Sequence, residues 1–186
     1  TVNMMKKYFD GTIPTPAKSF ILRSACLENR LDIDDDAAPD DLTIEVTGFQ
    51  FSWQFAYDLS DLGTNTNPSA EGRVAVIGRP GADPVLIMPV DEPVEFRLIS
   101  NDVIHSFYVR DFLYKLDLIP GRDNDFTVTA RETGDYRGQC AELCGLNHSL
   151  MRFTLRVVER AEFDAWIAEQ VARQLGDAAL VTVQDQ

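Results

Sequence analysis

From Leu42 onward the chain alternates between apolar and polar positions. In "LTIEVTGFQFSWQFAYD" (42–58), Phe51, Trp53, Phe55 and Tyr57 recur against Gln50, Ser52, Gln54 and Ala56. A period of two with aromatics on one side predicts a half-buried strand. "RVAVIG", "RPGADP" and "VLIMP" (73–89) predict strand, turn and strand, after a polar loop at 60–72. "PVEFRLIS" (93–100) sets Val94, Phe96 and Leu98 against Glu95 and Arg97. "VIHSFYV" (103–109), "FLYKLDLI" (112–119), "DFTVTA", "GDYRGQ" and "MRFTLRVV" extend the series. Short strands at this spacing predict an all-β sandwich or barrel. The period changes only at the end. In "RAEFDAWIAEQVARQLG" (160–176), Phe163, Trp166, Ile167 and Val171 share one stripe, which predicts a helix packed on the β domain and stopped by Gly176. There are no internal repeats.

Charge adds to that picture. The 186 residues are 45% hydrophobic and 25% charged, as in ordinary globular domains, but the net charge is −13. Such acidity argues against nucleic acid and anionic membrane surfaces as partners and favours a basic one. Part of it is the run "DIDDDAAPDD" (32–41), which reads as a solvated linker. No stretch has the roughly 20 apolar residues of a membrane span. The best candidate, "SFILRSACL" (19–27), is half that length and contains Arg23. The chain starts at Thr1 without a signal-peptide pattern, so we expect a piece of something longer. The expected organisation is an N-terminal extension and acidic linker at 1–41, a β domain at 42–159, and a helix and tail at 160–186.

The candidate chemistry is concentrated in "GQCAELCGLNHSLM" (138–151). Cys140, Cys144 and His148 stand four apart and Met151 follows three later. Upstream, His105 lies in a β run beside Ile104 and Phe107, where a lone histidine is more often a core residue than a ligand. Three readings compete. A Cys140–Cys144 disulfide closes a very short loop, gains little loop entropy, and leaves His148 and Met151 without a role. Zinc could take Cys140, Cys144, His148 and His105, but has no use for Met151. Copper wants thiolate, imidazole and thioether together, and two bridging thiolates can hold two coppers, each capped by a histidine.

These residues resemble a known family. "CAELCGLNHSLM" is similar to the copper A loop of cytochrome c oxidase subunit II, C-x-E-x-C-G-x-x-H-x-x-M. "DVIHSFYVRDFLYKLDLIPGR" is similar to its D-V-x-H-S followed by K-x-D-x-I-P-G-R, and "VTGFQFSWQFAYD" to its aromatic strand. The likeness runs from about Leu42 to about Trp166. It implies a cupredoxin-like Greek-key β sandwich or barrel with a dinuclear, mixed-valence copper centre. Cys140 and Cys144 would bridge both coppers. One would be completed by Met151 with His105 or His148, and the other by the remaining histidine and the backbone carbonyl of Glu142. The resemblance implies the set and leaves the pairing open. The Glu142 side chain would face subunit I, where the family uses it for magnesium. Asp102 and Asp117 would be nearby supporting acids, the alternative for each being a solvated surface carboxylate.

The resemblance also implies a relay that takes single electrons from cytochrome c and passes them to haem in subunit I, where oxygen is reduced and protons are pumped. It places the domain on the periplasmic face of a bacterial plasma membrane or the intermembrane-space side of the mitochondrial inner membrane. Two departures stand out. Where the family has G-x-Q-W-x-W, this chain has Gly48, Phe49, Gln50, Phe51, Ser52 and Trp53. Phe51 thus replaces the tryptophan usual for electron uptake and Trp53 matches the second, so uptake is shifted or the donor is a tethered cytochrome domain. The family's two N-terminal membrane helices are also missing, which implies that they were removed or belong to another polypeptide. Cys26 matches nothing and reads as a spare thiol. Nitrous oxide reductase has a tryptophan between the cysteines where this chain has Glu142, and needs a propeller domain. Quinol oxidases lack the cysteines. From another class, a copper-delivery or storage protein would use similar ligands in a more open, exchangeable site.

Overall fold

The computed structural model describes residues 31–34, 42–59, 73–79 and 81–184, with side chains described over 42–59, 73–79 and 81–174. In chain order the strands are β1 (Leu31–Asp34), β2 (Leu42–Phe49), β3 (Ser52–Asp58), β4 (Arg73–Ile77), β5 (Val85–Pro89) and β6 (Pro93–Ser100). They continue as β7 (His105–Val109), β8 (Tyr114–Leu118), β9 (Asn124–Ala130), β10 (Gly134–Cys140) and β11 (Arg152–Val158), before helix α1 (Arg160–Gln184). Two sheets form a cupredoxin-like sandwich. The first has the order β1-β9-β6-β2-β3-β4 and the second β5-β11-β10-β7-β8. The β2–β6 and β5–β11 pairs are parallel and the other pairs antiparallel.

Four elements differ from the pattern-based expectation. The aromatic run 42–58 is not one strand: Gln50 and Phe51 form a turn, and β2 folds onto β3 with Phe49 opposite Ser52 and Gly48 opposite Trp53. The turn keeps Trp53, Phe55 and Tyr57 fully buried and carries Phe51 to a half-buried position off that face. "RVAVI" and "VLIMP" are both strands but part company: β4 pairs with β3 in the first sheet, and β5 with β11 in the second. Leu31–Asp34, assigned by its charge to the linker, is hydrogen-bonded to β9 at the sheet edge. Helix α1 passes through Gly176 and ends at Gln184. Glycine costs a helix interior about 1 kcal/mol relative to alanine, which weakens a helix without forcing it to stop.

Aromatic packing joins the layers. Phe153 of β11 stacks on Phe107 of β7 at 4.9 Å between ring centroids. Its other contacts are edge-on with Trp53 at 5.4 Å and Phe55 at 5.6 Å, both from the first sheet. Pairs of this geometry contribute about 0.5–1.5 kcal/mol each beyond the area they bury. Polar groups cross the layers too, since the Ile87 N–H donates to the buried Tyr57 hydroxyl at 2.8 Å. Tyr57 also seats the helix, with Trp166 at 5.0 Å and the buried Phe163 at 6.2 Å. The stripe read from the sequence is therefore the packing face of α1.

Candidate metal centre

The site lies at one end of the second sheet, where strand register brings distant residues together. Cys140, the last residue of β10, pairs with Phe107 of β7, so His105 at the start of β7 lies beside the strand end. The connection from β10 to β11 then folds back: the Cys140 N–H donates to the Met151 carbonyl at 2.9 Å and the Ala141 N–H to the Ser106 carbonyl at 3.0 Å. A tight turn closed by the His148 N–H on the Gly145 carbonyl, 3.1 Å, returns His148 towards Cys144.

The donor atoms converge. The Cys140 and Cys144 sulfurs are 3.9 Å apart and both thiols are free. A disulfide has its sulfurs about 2.05 Å apart, so the disulfide reading is excluded in this geometry. His105 Nδ1 lies 3.8 Å from Cys140 Sγ, and His148 Nδ1 lies 3.5 Å from Cys144 Sγ. Met151 Sδ lies 3.7 Å from Cys144 Sγ, and the Glu142 carbonyl oxygen 3.2 Å from Cys140 Sγ. His105, Cys140, Cys144 and Met151 are buried, whereas His148 is half-buried. The ligand atoms of His105, Cys140 and Cys144 all lie within 4.8 Å of one another.

Electrostatics argue for a cation among these groups. Burial pushes the Cys140 thiol up, but hydrogen bonding from His105 and the neighbouring backbone outweighs it and brings the pKa down to about 7. Burial and the adjacent Cys140 charge push Cys144 up to about 12. Two negative charges at 3.9 Å repel, so without a cation the second thiol resists ionising once the first has done so. A thiol-binding metal ion removes that penalty, and its ligands are deprotonated as it binds. The donor set of two sulfurs, two imidazoles, a thioether and a carbonyl fits copper, because zinc leaves a buried thioether unused.

Asp102 holds His105 in a ligating orientation. Its Oδ1 accepts from His105 Nε2 at 2.7 Å and from the Val103 N–H at 2.6 Å, and its Oδ2 accepts from the Gln50 N–H at 2.6 Å. Burial alone would raise the Asp102 pKa, but these donors outweigh it and keep the carboxyl ionised. With Nε2–H donated to a carboxylate, Nδ1 is left free as the ligating nitrogen. Behind the ring, Gly48 leaves room that a side chain would fill: a Cβ there would lie 3.0 Å from His105 Cδ2 and 3.1 Å from Leu118 Cδ2. Gly48→Ala is expected to tilt His105 and to cost about 1–3 kcal/mol in urea unfolding, the usual range for overpacking. An unchanged midpoint would show that the ring yields freely.

The remaining predicted site residues are less close. Asp117 lies on β8 opposite Ser106, and Lys115 Nζ stands 3.5 Å from Asp117 Oδ1 and 4.0 Å from Glu142 Oε2. Lys115 is thus the cation between these two carboxylates within this chain. Trp53 is buried behind His105, with ring centroids 6.2 Å apart, and presents no surface to a partner. Phe51 lies on the turn against Gly145, where a Cβ would come 3.0 Å from Phe51 Cε1. Cys26 lies outside the described residues. Sequence reasoning missed the site roles of Gln50 and Lys115, which read as the polar positions of alternating strands.

Residues 42–158 match the family model of cytochrome c oxidase subunit II, periplasmic domain. The chain belongs to that family. A probable cytochrome c oxidase subunit 2 of Streptomyces avermitilis is 40% identical over 144 residues, covering 63% of this chain and 45% of that protein. The cytochrome c oxidase subunit 2 of Candida albicans is 35% identical over 161 residues, covering 81% of this chain and 58% of its own. Among solved structures, the periplasmic domain of subunit II (CoxB) of Bradyrhizobium japonicum superposes with a TM-score of 0.60 at 33% identity, covering 72% of this chain and 95% of that one. The chain spans about half the length of the first curated relatives it matches. The matched region is an extracytoplasmic module of the family, and no helix among the described residues is long and apolar enough to cross a membrane.

Proposed function

We propose that this domain is the electron-uptake module of a haem–copper oxidase, a proton-translocating oxidoreductase. It accepts single electrons from cytochrome c, soluble or tethered, and delivers them to haem in subunit I for oxygen reduction. The observation that carries this reading is the buried, unbonded thiol pair at 3.9 Å, faced by two Nδ1 atoms, a thioether and a carbonyl. His105, Cys140, Cys144, His148, Met151 and the Glu142 carbonyl would hold two copper ions. When bound, the pair would supply one-electron redox capacity shared between two ions.

The chain's own residues do the rest. The β7, β10 and β11 backbones fix the ligand segments, so little atomic movement accompanies a change of charge. Met151 and His105, both buried, exclude water from one side. Leu143 and Leu146, exposed by 79% and 94% beside the ligands, supply apolar contact for a partner, while the acidic surface steers a basic donor. Phe51, on the outer turn, is the uptake residue, and Trp53 supports His105 from within. Magnesium would bind through Glu142 at the subunit I interface.

The thiols must be reduced before loading. A solved relative is a mixed-disulfide intermediate between a thioredoxin-like protein and subunit II of cytochrome c oxidase. We infer that a similar dithiol partner reduces a Cys140–Cys144 disulfide here, forming and then resolving a mixed disulfide as its own two thiols become oxidised. We place the domain on the periplasmic or intermembrane-space side, anchored through segments or subunits outside 42–159. A delivery or storage role is disfavoured by the burial of four ligands, since an exchangeable site has to be open.

Copper stoichiometry with electron paramagnetic resonance tests the proposal. About two coppers per chain sharing one unpaired electron, in a purple protein, is the expected result. One copper with a mononuclear spectrum, or bound zinc without a signal, would overturn it.

A further inference from the structure

The five side-chain ligand candidates lie on β7, at the end of β10 or on the connection from β10 to β11, and all three strands belong to the second sheet. The first sheet reaches them at the turn between β2 and β3. There Gln50 makes two bonds to different parts of the site. Its backbone N–H donates to Asp102 Oδ2 at 2.6 Å, and Asp102 in turn accepts from His105 Nε2 at 2.7 Å. Its side-chain Nε2 donates to the Cys144 carbonyl at 2.6 Å, across 94 residues of sequence.

The Cys144 carbonyl has no backbone partner among the described residues, because the turn bonds around it use Gly145, Asn147, His148 and Met151. Gln50 is therefore what holds this peptide from outside the loop. The fit is close. Gly145, at φ +134°, faces the turn, and a Cβ there would lie 2.9 Å from Gln50 Nε2. A residue with no side chain in this backbone region lets the two segments approach.

We propose that Gln50 is a positioning residue for the centre. Its amide holds Cys144 at the separation from Cys140 at which both sulfurs can serve one ion, and its N–H, through Asp102, sets the His105 ring. Without the amide, the Cys144 peptide is free to sample other conformations, and affinity falls by the fraction of molecules left competent. Outer partners of ligands typically change metal affinity 10–100-fold. The metal part of this inference rests on the copper reading above; the clamp itself does not.

The test compares Gln50→Ala and Gln50→Glu with the unsubstituted domain. Glutamate keeps the shape but, once ionised, only accepts and so presents no donor to the carbonyl. In the reduced, metal-free protein, iodoacetamide labelling of each thiol is followed by peptide mass spectrometry. Both variants are expected to label Cys144 about tenfold faster, with a smaller change at Cys140. Copper loss to a chelator should rise roughly 10–100-fold, with a shifted absorption spectrum. Ile44→Val, a buried substitution costing about 0.5–1.5 kcal/mol, controls for a general loss of stability. Labelling at the unsubstituted rate, or raised no more than in Ile44→Val, would overturn the proposal. If the unsubstituted domain fails to bind a copper pair, the copper reading falls, and the labelling result still decides the clamp.

Discussion

Cys140→Ser and Cys144→Ser are each expected to abolish the two-copper centre, taking bound copper from about two per chain to about one or none. Each sulfur is paired with its own imidazole, Cys140 with His105 at 3.8 Å and Cys144 with His148 at 3.5 Å. Losing one sulfur therefore removes the bridge and also leaves one histidine without its companion. A serine hydroxyl is a poor substitute, because it stays protonated at neutral pH and is a hard donor where copper favours a soft one. The purple colour and the shared-electron signal should disappear in both variants. Cys26→Ser should leave copper content unchanged, since Cys26 lies outside the stretch that matches the copper-site pattern. Copper analysis and electron paramagnetic resonance on the three variants decide the matter. A Cys140→Ser protein that kept two coppers and the shared signal would mean that the thiols do not bridge.

Gly138→Ala is expected to be the most damaging single-methyl change in the core. A Cβ on Gly138 would lie 2.1 Å from both Cε2 and Cζ of Phe153, well inside van der Waals contact. The ring cannot retreat, because it stacks on Phe107 at 4.9 Å and meets Trp53 at 5.4 Å and Phe55 at 5.6 Å. Nor can the backbone, since Gly138 is paired with Val109 on one side and with Phe153 on the other. Overpacking of a well-filled core costs about 1–3 kcal/mol and more where neighbours are locked, so we expect about 3 kcal/mol. The loss should appear as a lower urea midpoint at unchanged slope. Adding Phe153→Leu, which shortens the offending ring, should restore part of it, and a double-mutant cycle would then show strong coupling. Additive losses would place Phe153 elsewhere.

Much of this protein was legible in its sequence. Alternation in "PVEFRLIS" and "MRFTLRVV" is local information, because a strand's side chains change face at every residue whatever it pairs with. The stripe of Phe163, Trp166 and Ile167 was legible for the same reason at helical period. The spacing of Cys140, Cys144, His148 and Met151 put most of the ligand set within one short connection, where chain length alone keeps the groups near one another. Tertiary structure decided what those rules leave open. The turn at Gln50 and Phe51 interrupts a run whose alternation is unbroken, and the separation of β4 from β5 into different sheets leaves no trace in composition. His105 joins Cys140 across 35 residues, Asp102 meets Gln50 across 52 and Gln50 meets Cys144 across 94. Each contact exists because strand register and the packing of two sheets bring the segments together. Periodicity states which face of a strand is buried, but not which strand lies beside it; that choice belongs to the assembled core.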